Sequence, residues 1–175
     1  GISIENTTGN RYFDFELYQT NIVYNRTTRT FSGYGPTAGH TAWQFNASGN
    51  VVTAGDIIFS AEFSSSSLTL IEARIWVHKN ALLTTPVNFN WGGKFDGDGP
   101  SAVYGYASIL PKTSGNFYTG LQSSGSTWAG PFALVRQDNS VVPDYIPGQF
   151  MEFSVNLSKL GIDPASYSNN PCGTP

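Results

Sequence analysis

The densest run of chemically able side chains in this sequence lies between Leu68 and Pro100. Ile71, Ala73, Ile75 and Val77 alternate with Glu72, Arg74, Trp76 and His78. Side chains two apart on a strand share a face. The alternation therefore predicts one long strand, with an apolar row on one side and a carboxylate, a guanidinium, an indole and an imidazole on the other. A slip of one residue would bury both a carboxylate and a guanidinium, so the register is well specified. A ring on which a ligand stacks, with hydrogen-bonding groups around it, suits a sugar; a satisfied salt-bridged surface is the equal alternative for the same four residues. Trp91, Tyr104 and Tyr106 join Glu72, Arg74, Trp76 and His78 as candidate ligand-binding residues.

After this strand the sequence turns to Trp91-Gly92-Gly93-Lys94-Phe95-Asp96-Gly97-Asp98-Gly99-Pro100, read as a loop. Asp96 and Asp98, separated by glycine, are the candidate metal ligands, with one structural Ca2+ as the cofactor, because hard cations want several oxygens and glycine lets carbonyls fold inward. The third oxygen residue and the later glutamate of a full calcium loop are missing. A glycine-rich turn whose aspartates accept backbone N–H groups is the stronger reading. A third constellation is Asp14 and Glu16, which share a strand face about 7 Å apart. That is near the carboxylate spacing of inverting glycosidases, but no cleft is visible around them. His40 and His78 fall in expected strands and Cys172 in a tail, so no nucleophilic dyad is legible. Zinc-ligand spacing and a phosphate-binding glycine loop are lacking.

The frame holding these residues is all-β. Charged residues are only 12% of the chain, aromatics 14%, and glycines number 19, a composition of strands and tight turns. Tyr12 to Tyr18 alternates, with Phe13, Phe15 and Leu17 on one side. Asn21–Tyr24 and Thr28–Ser32 read as a hairpin around Asn25-Arg26-Thr27. His40–Phe45 and Val51–Thr53 read as another around Asn46–Asn50. Asp56–Phe63 sends Ile57, Phe59, Ala61 and Phe63 inward. Ala102–Ile109, Phe132–Val135 and Phe150–Leu157 are further strands, and Ser158–Gly161 makes a single helical turn. Ser64–Ser67 reads as a hairpin connection, while 112–127 carries little pattern. Sustained 3.6-residue periodicity is absent. The expected architecture is one antiparallel β-sandwich domain over residues 1–175, of jelly-roll type, with little or no helix.

The net charge of −3 gives no electrostatic reason to expect nucleic acid or an anionic membrane as partner. No apolar run approaches the ~20 residues that span a bilayer, so membrane insertion is not expected. Gly1-Ile2-Ser3-Ile4 reads as a mature start, and the lone Cys172 near the end as the mark of a longer parent chain. Sequons at Asn6, Asn25, Asn46 and Asn156 are compositional in a chain this rich in Asn, Ser and Thr.

Gly39–Phe45, Lys94-Phe95-Asp96-Gly97 and Phe150–Pro164 together resemble carbohydrate-binding-module-like β-sandwich domains. Those domains occur in long secreted or cell-surface, adhesin-like, type IX-exported proteins of Bacteroidota. The last stretch is similar to their closing E-x-x-(V/I)-x-L-S-x-L-G strand. The resemblance implies an extracellular address, no catalytic residue, and a glycan or a host or surface protein as partner. Two alternatives stand beside a non-catalytic glycan-binding or adhesion domain. One is a spacer or fibre-forming module that self-associates. The other is a jelly-roll glycoside hydrolase using Asp14 and Glu16.

Overall fold

The computed structural model describes residues 1–64, 67–112 and 118–160. Cys172, the Gly161–Pro164 end of the closing motif, and parts of Ser64–Ser67 and of 112–127 lie outside them. The described chain is β-rich, with antiparallel sheets and two short 3-10 turns, Lys79–Leu83 and Leu157–Leu160, and without an α-helix. Eight strands carry the two larger sheets: β1 (Ile2–Ser3), β2 (Asn10–Leu17), β3 (Ile57–Ser64), β4 (Ser67–His78), β5 (Phe89–Gly97), β6 (Tyr104–Pro111), β7 (Tyr118–Gln122) and β8 (Phe150–Val155). A five-stranded sheet runs in the order β2-β3-β4-β6-β5, and a three-stranded one in the order β1-β8-β7. Among the described residues, short two-stranded ribbons and isolated bridges account for the remaining pairing, and no closed barrel forms.

Residue contacts group into two compact units. The first holds Gly1–Phe13, Ser60–Ile71 and Tyr118–Val155. Its core is Ala61, Phe63 and Met151, packed by Ile2, Phe13, Ile71 and Phe153. Phe13 meets Phe63 edge to face at 5.6 Å.

The second unit contains residues 14–59 and 72–112 and carries every residue discussed below as a candidate. Alternation builds its core directly: Ile57 and Phe59 from β3, Ala73, Ile75 and Val77 from β4, and Ala107 and Ile109 from β6 are all buried. Trp43, Phe45, Phe89 and Trp91 close it as a herringbone of edge-to-face rings 5.7–6.3 Å apart. Such pairs add about 0.5–1.5 kcal/mol each beyond the area they bury.

Two expectations change here. Trp91–Gly97 is not a loop but part of β5, laddered to β6 from Phe89↔Pro111 to Gly97↔Gly105. A register irregularity between Ala107 and Ile109 absorbs Gly92 and Gly93, and Gly93 sits at φ +83°. Nor is His40–Phe45 one strand. Only Gln44–Phe45 pairs with Val51–Thr53, while Trp43 leaves to form a parallel bridge with Val77. The expected hairpin at 21–32 forms as Ile22–Asn25 against Thr30–Gly33.

Candidate functional site

β4 and β6 pair antiparallel with Tyr104 opposite His78, Tyr106 opposite Trp76 and Ser108 opposite Arg74. Because Ala73, Ile75 and Val77 face the core, Glu72, Arg74, Trp76 and His78 share the other face with Tyr104 and Tyr106. Six of the seven candidate ligand-binding residues thus come together. Trp91 does not: it packs on Phe45 and Phe89 on the core side, and its Nε1 donates to the Thr84 carbonyl at 2.8 Å. On β5, Trp91 has the parity of Phe95, whose partner is the buried Ala107.

One end of this face is an ion cluster. Arg74 Nη2 donates to Glu72 Oε2 at 2.8 Å, Lys94 Nζ lies 3.3 Å from Glu72 Oε1, and Arg74 Nη1 lies 3.5 Å from Asp96. Burial pushes the Glu72 carboxyl up, but the hydrogen bond and charge of Arg74, and then those of Lys94, outweigh it and hold it below the ordinary 4.5. A carboxyl with a lowered folded pKa contributes stability above its unfolded value and loses it as pH falls through the folded one. Glu72→Gln is therefore expected to cost about 1 kcal/mol at pH 7 and to flatten the acid limb of the stability profile below pH 4.5. Urea melts from pH 3 to 7 check this, and an unaltered acid limb would refute it.

The other end is aromatic and acid–base. The segment after Tyr34 folds over it as a tight hairpin in which Gly35 bridges Gly39 and Thr37 bridges His40, with Ala38 and Gly39 at positive φ. Thr37 Oγ1 donates to the His40 carbonyl at 2.8 Å and accepts the Trp76 indole N–H at 3.1 Å. This sets the imidazole of His40 between Trp76, 4.3 Å away, and Tyr18, 5.4 Å away and parallel within 14°. The ring's Nδ1 donates to Asp56 Oδ2 at 2.9 Å and lies 3.7 Å from Glu16 Oε1. With Nδ1 committed to a carboxylate, Nε2 is the ring nitrogen left for another partner.

Asp56 is fully buried and is the hub of the arrangement. Its carboxylate also accepts the backbone N–H groups of Gln19 at 2.8 Å and Thr41 at 3.2 Å. Its backbone carbonyl takes the Trp43 indole N–H and the Trp76 N–H, both at 3.0 Å, and its own N–H donates to the Thr41 carbonyl. Gly55 makes this approach feasible, since a Cβ there would meet the Thr41 oxygen at 2.3 Å. Glu16, on β2, accepts from Tyr18 at 2.6 Å and from Tyr106. Burial raises its carboxyl above the ordinary range, against the Tyr18 hydrogen bond and the His40 charge that lower it, and with Asp56 and Asp14 pushing it further up. Burial and the bond to Glu16 raise the Tyr18 phenol as well.

Trp76 and Tyr104 stand on neighbouring strands with ring planes parallel within 7° and centroids 6.4 Å apart. His78 meets Tyr104 edge to face at 5.0 Å, while its Nδ1 accepts the Asn80 N–H and so caps the following 3-10 turn. The chain matches no known family model, no curated protein and no solved structure. The site is therefore read from its own chemistry.

Asp96 spends an oxygen on Arg74, and Asp98 is exposed beyond the end of β5, beside a turn closed by Gly99 N–H to the Gly97 carbonyl. Among the described residues no group of three or more His, Cys, Asp or Glu side chains converges as a metal cage. These two carboxylates do not by themselves fit a calcium ion. Asp14 is exposed on β2, whereas Glu16 is half-buried. Asp56, Tyr18 and Thr37 belong to the site and carried no signal in the sequence beyond their residue types. A recess of about 580 Å³ is lined by Ala47, Ser48, Thr84, Thr85 and Lys112, none of them a candidate residue.

Proposed function

We propose that this chain is a non-catalytic glycan-binding domain of a secreted or cell-surface protein, a β-sandwich of jelly-roll type. The observation that carries this is the pair of parallel rings, Trp76 and Tyr104, half-exposed on one sheet face with polar groups beside them. Sugar C–H faces stack on such rings while hydroxyls find hydrogen bonds at the edge. His78 and Tyr106 border the rings, and the Glu72–Arg74 pair lies farther along the same strand. Trp76 is engaged by Thr37 and His40, so Tyr104 is the more informative position to change.

Tyr104→Ala is expected to weaken glycan binding about tenfold, the loss of one stacked ring, while melting stays within a few degrees of the parent. A glycan array followed by calorimetry on the best polymer measures it. Unchanged affinity in Tyr104→Ala, or an array on which nothing binds, would overturn the reading.

One observation favours a second reading, acid–base catalysis on a polysaccharide. Glu16 with a raised carboxyl lies beside a His40–Asp56 pair, and a matched acid and base is what glycoside chemistry uses. His40, held by the buried Asp56, would then take the place the sequence suggests for Asp14. Reducing ends released from the same panel, and abolished by Glu16→Gln, would establish catalysis.

A further inference from the structure

The hairpin Ile22–Gly33 presents a second, chemically different surface in the same unit. Its tip is a four-residue turn, Arg26–Arg29, held open by Asn25 Oδ1, which accepts the N–H groups of Thr27 and Thr28 at 2.9 and 3.1 Å. Ends of such a turn lie within about 7 Å of each other, so the two arginine side chains leave the backbone close together. Arg26 and Arg29 are exposed and make no ion pair or hydrogen bond among the described residues. Arg29 also occupies left-handed backbone at φ 57°, where glycine or asparagine sits with less strain.

Directly below the tip, Tyr24 and Phe31 are cross-strand partners with rings 4.9 Å apart, and Phe31 is 72% exposed. No acidic residue occurs between Thr20 and Tyr34, although the chain as a whole carries a net charge of −3. The ribbon is a local cationic tip above an exposed aromatic pair. Guanidinium forks match carboxylate and sulfate oxygens bidentately, and the two rings offer a stacking surface about 7 Å away along the strand.

We propose that this hairpin binds an anionic polysaccharide: Arg26 and Arg29 hold the acid groups, and Tyr24 and Phe31 stack on an adjoining sugar ring. The inference deepens the glycan-binding reading and rests on it, but it uses different residues. Polygalacturonate, dextran sulfate, polyglutamate and neutral dextran are the probes, measured by affinity electrophoresis over a salt series.

The parent chain is expected to retain one or both charged polymers more strongly than dextran, and less so as salt rises. Polygalacturonate alone identifies carboxylates as the ligand chemistry, dextran sulfate alone identifies sulfates, and retention of both identifies acid groups in general. The double variant Arg26→Ala/Arg29→Ala should lose at least about tenfold on those polymers. Arg26→Lys/Arg29→Lys should fall between, keeping charge but losing the forks. Arg29→Gly should melt higher yet bind more weakly, which separates recognition from folding.

Equal retention of charged and neutral polymers, or a double variant that binds like the parent, overturns the proposal. So does binding confined to polyglutamate, which would make the partner an acidic protein. If Tyr104→Ala removes neutral-glycan binding while the arginine variants change nothing, only the hairpin inference fails. If no polymer or array glycan binds the parent chain, the glycan reading itself fails.

Discussion

Asp56→Ala is expected to destabilise the second unit by about 3–5 kcal/mol, the usual range when one partner of a buried charged network is removed. The carboxylate is fully buried and receives the Gln19 and Thr41 N–H groups and the His40 imidazole. Alanine leaves all three donors facing a void that offers no acceptor. In a domain of this size each kcal/mol is worth about 2–4 °C, so melting should fall by on the order of 10 °C. Asp56→Asn keeps the shape and one acceptor oxygen but turns an amide N–H₂ toward one of the donors, and should lose less than half as much. Thermal melts followed by near- and far-UV circular dichroism measure both. An alanine variant within 1 kcal/mol of the parent would show that solvent replaces the carboxylate and that it is not the hub.

Trp43→Ala is expected to cost about as much, 3–5 kcal/mol, by a different route. Trp43 is 1% exposed, packs edge to face on Phe89 at 6.3 Å, and donates its indole N–H to the Asp56 carbonyl. Removing it empties the centre of the herringbone and releases one of the two donors to that carbonyl. The Trp76 N–H still serves the same oxygen, so the acceptor is not stranded. Trp43→Phe keeps most of the ring and should therefore cost only about 1–2 kcal/mol. Denaturant titration distinguishes the contributions. A phenylalanine variant as damaged as the alanine one would place the main effect in the hydrogen bond rather than in packing.

What could be read ahead of the structure depended on whether a residue's environment comes from its own strand. Ala73, Ile75 and Val77 are buried where the alternation puts them, and so are Ile57, Phe59, Ala61 and Phe63. Half-burial of Glu72, Arg74, Trp76 and His78 follows from the same period. Asp56 has the parity of Ile58, Ser60 and Glu62, which point away from the core, so strand logic exposes it. It is buried because residues 37–43 return across it, and nothing local announces that return. The aromatic alternation of His40–Phe45 suggested a strand, but Trp43 takes its backbone partner from Trp76 instead. As an indole in a glycine-rich run that reads as a loop, Trp91 has the type of a stacking residue. Once that run is seen to be a strand, its parity with Phe95 puts it inside. The mutual pairing of Glu72 and Arg74 was visible as a spacing but not as an outcome, since side chains two apart on a face can pair or reach outward with equal ease.

The parallel bridge between Trp43 and Val77 has a bearing on solubility. β3 begins at Ile57, the Asp56 carbonyl accepts the Trp76 N–H, and the Trp43 N–H donates to the Trp76 carbonyl. In this way the covering segment serves as a short substitute strand, completing the hydrogen bonding of β4 where its regular neighbour has run out. Should that segment lift, backbone polar groups would be bared beside Ile75 and Val77, two of the most apolar positions of the unit. Such a gap is a template for another chain's strand. The segment ending at Trp43 thus guards the sheet against edge-to-edge aggregation.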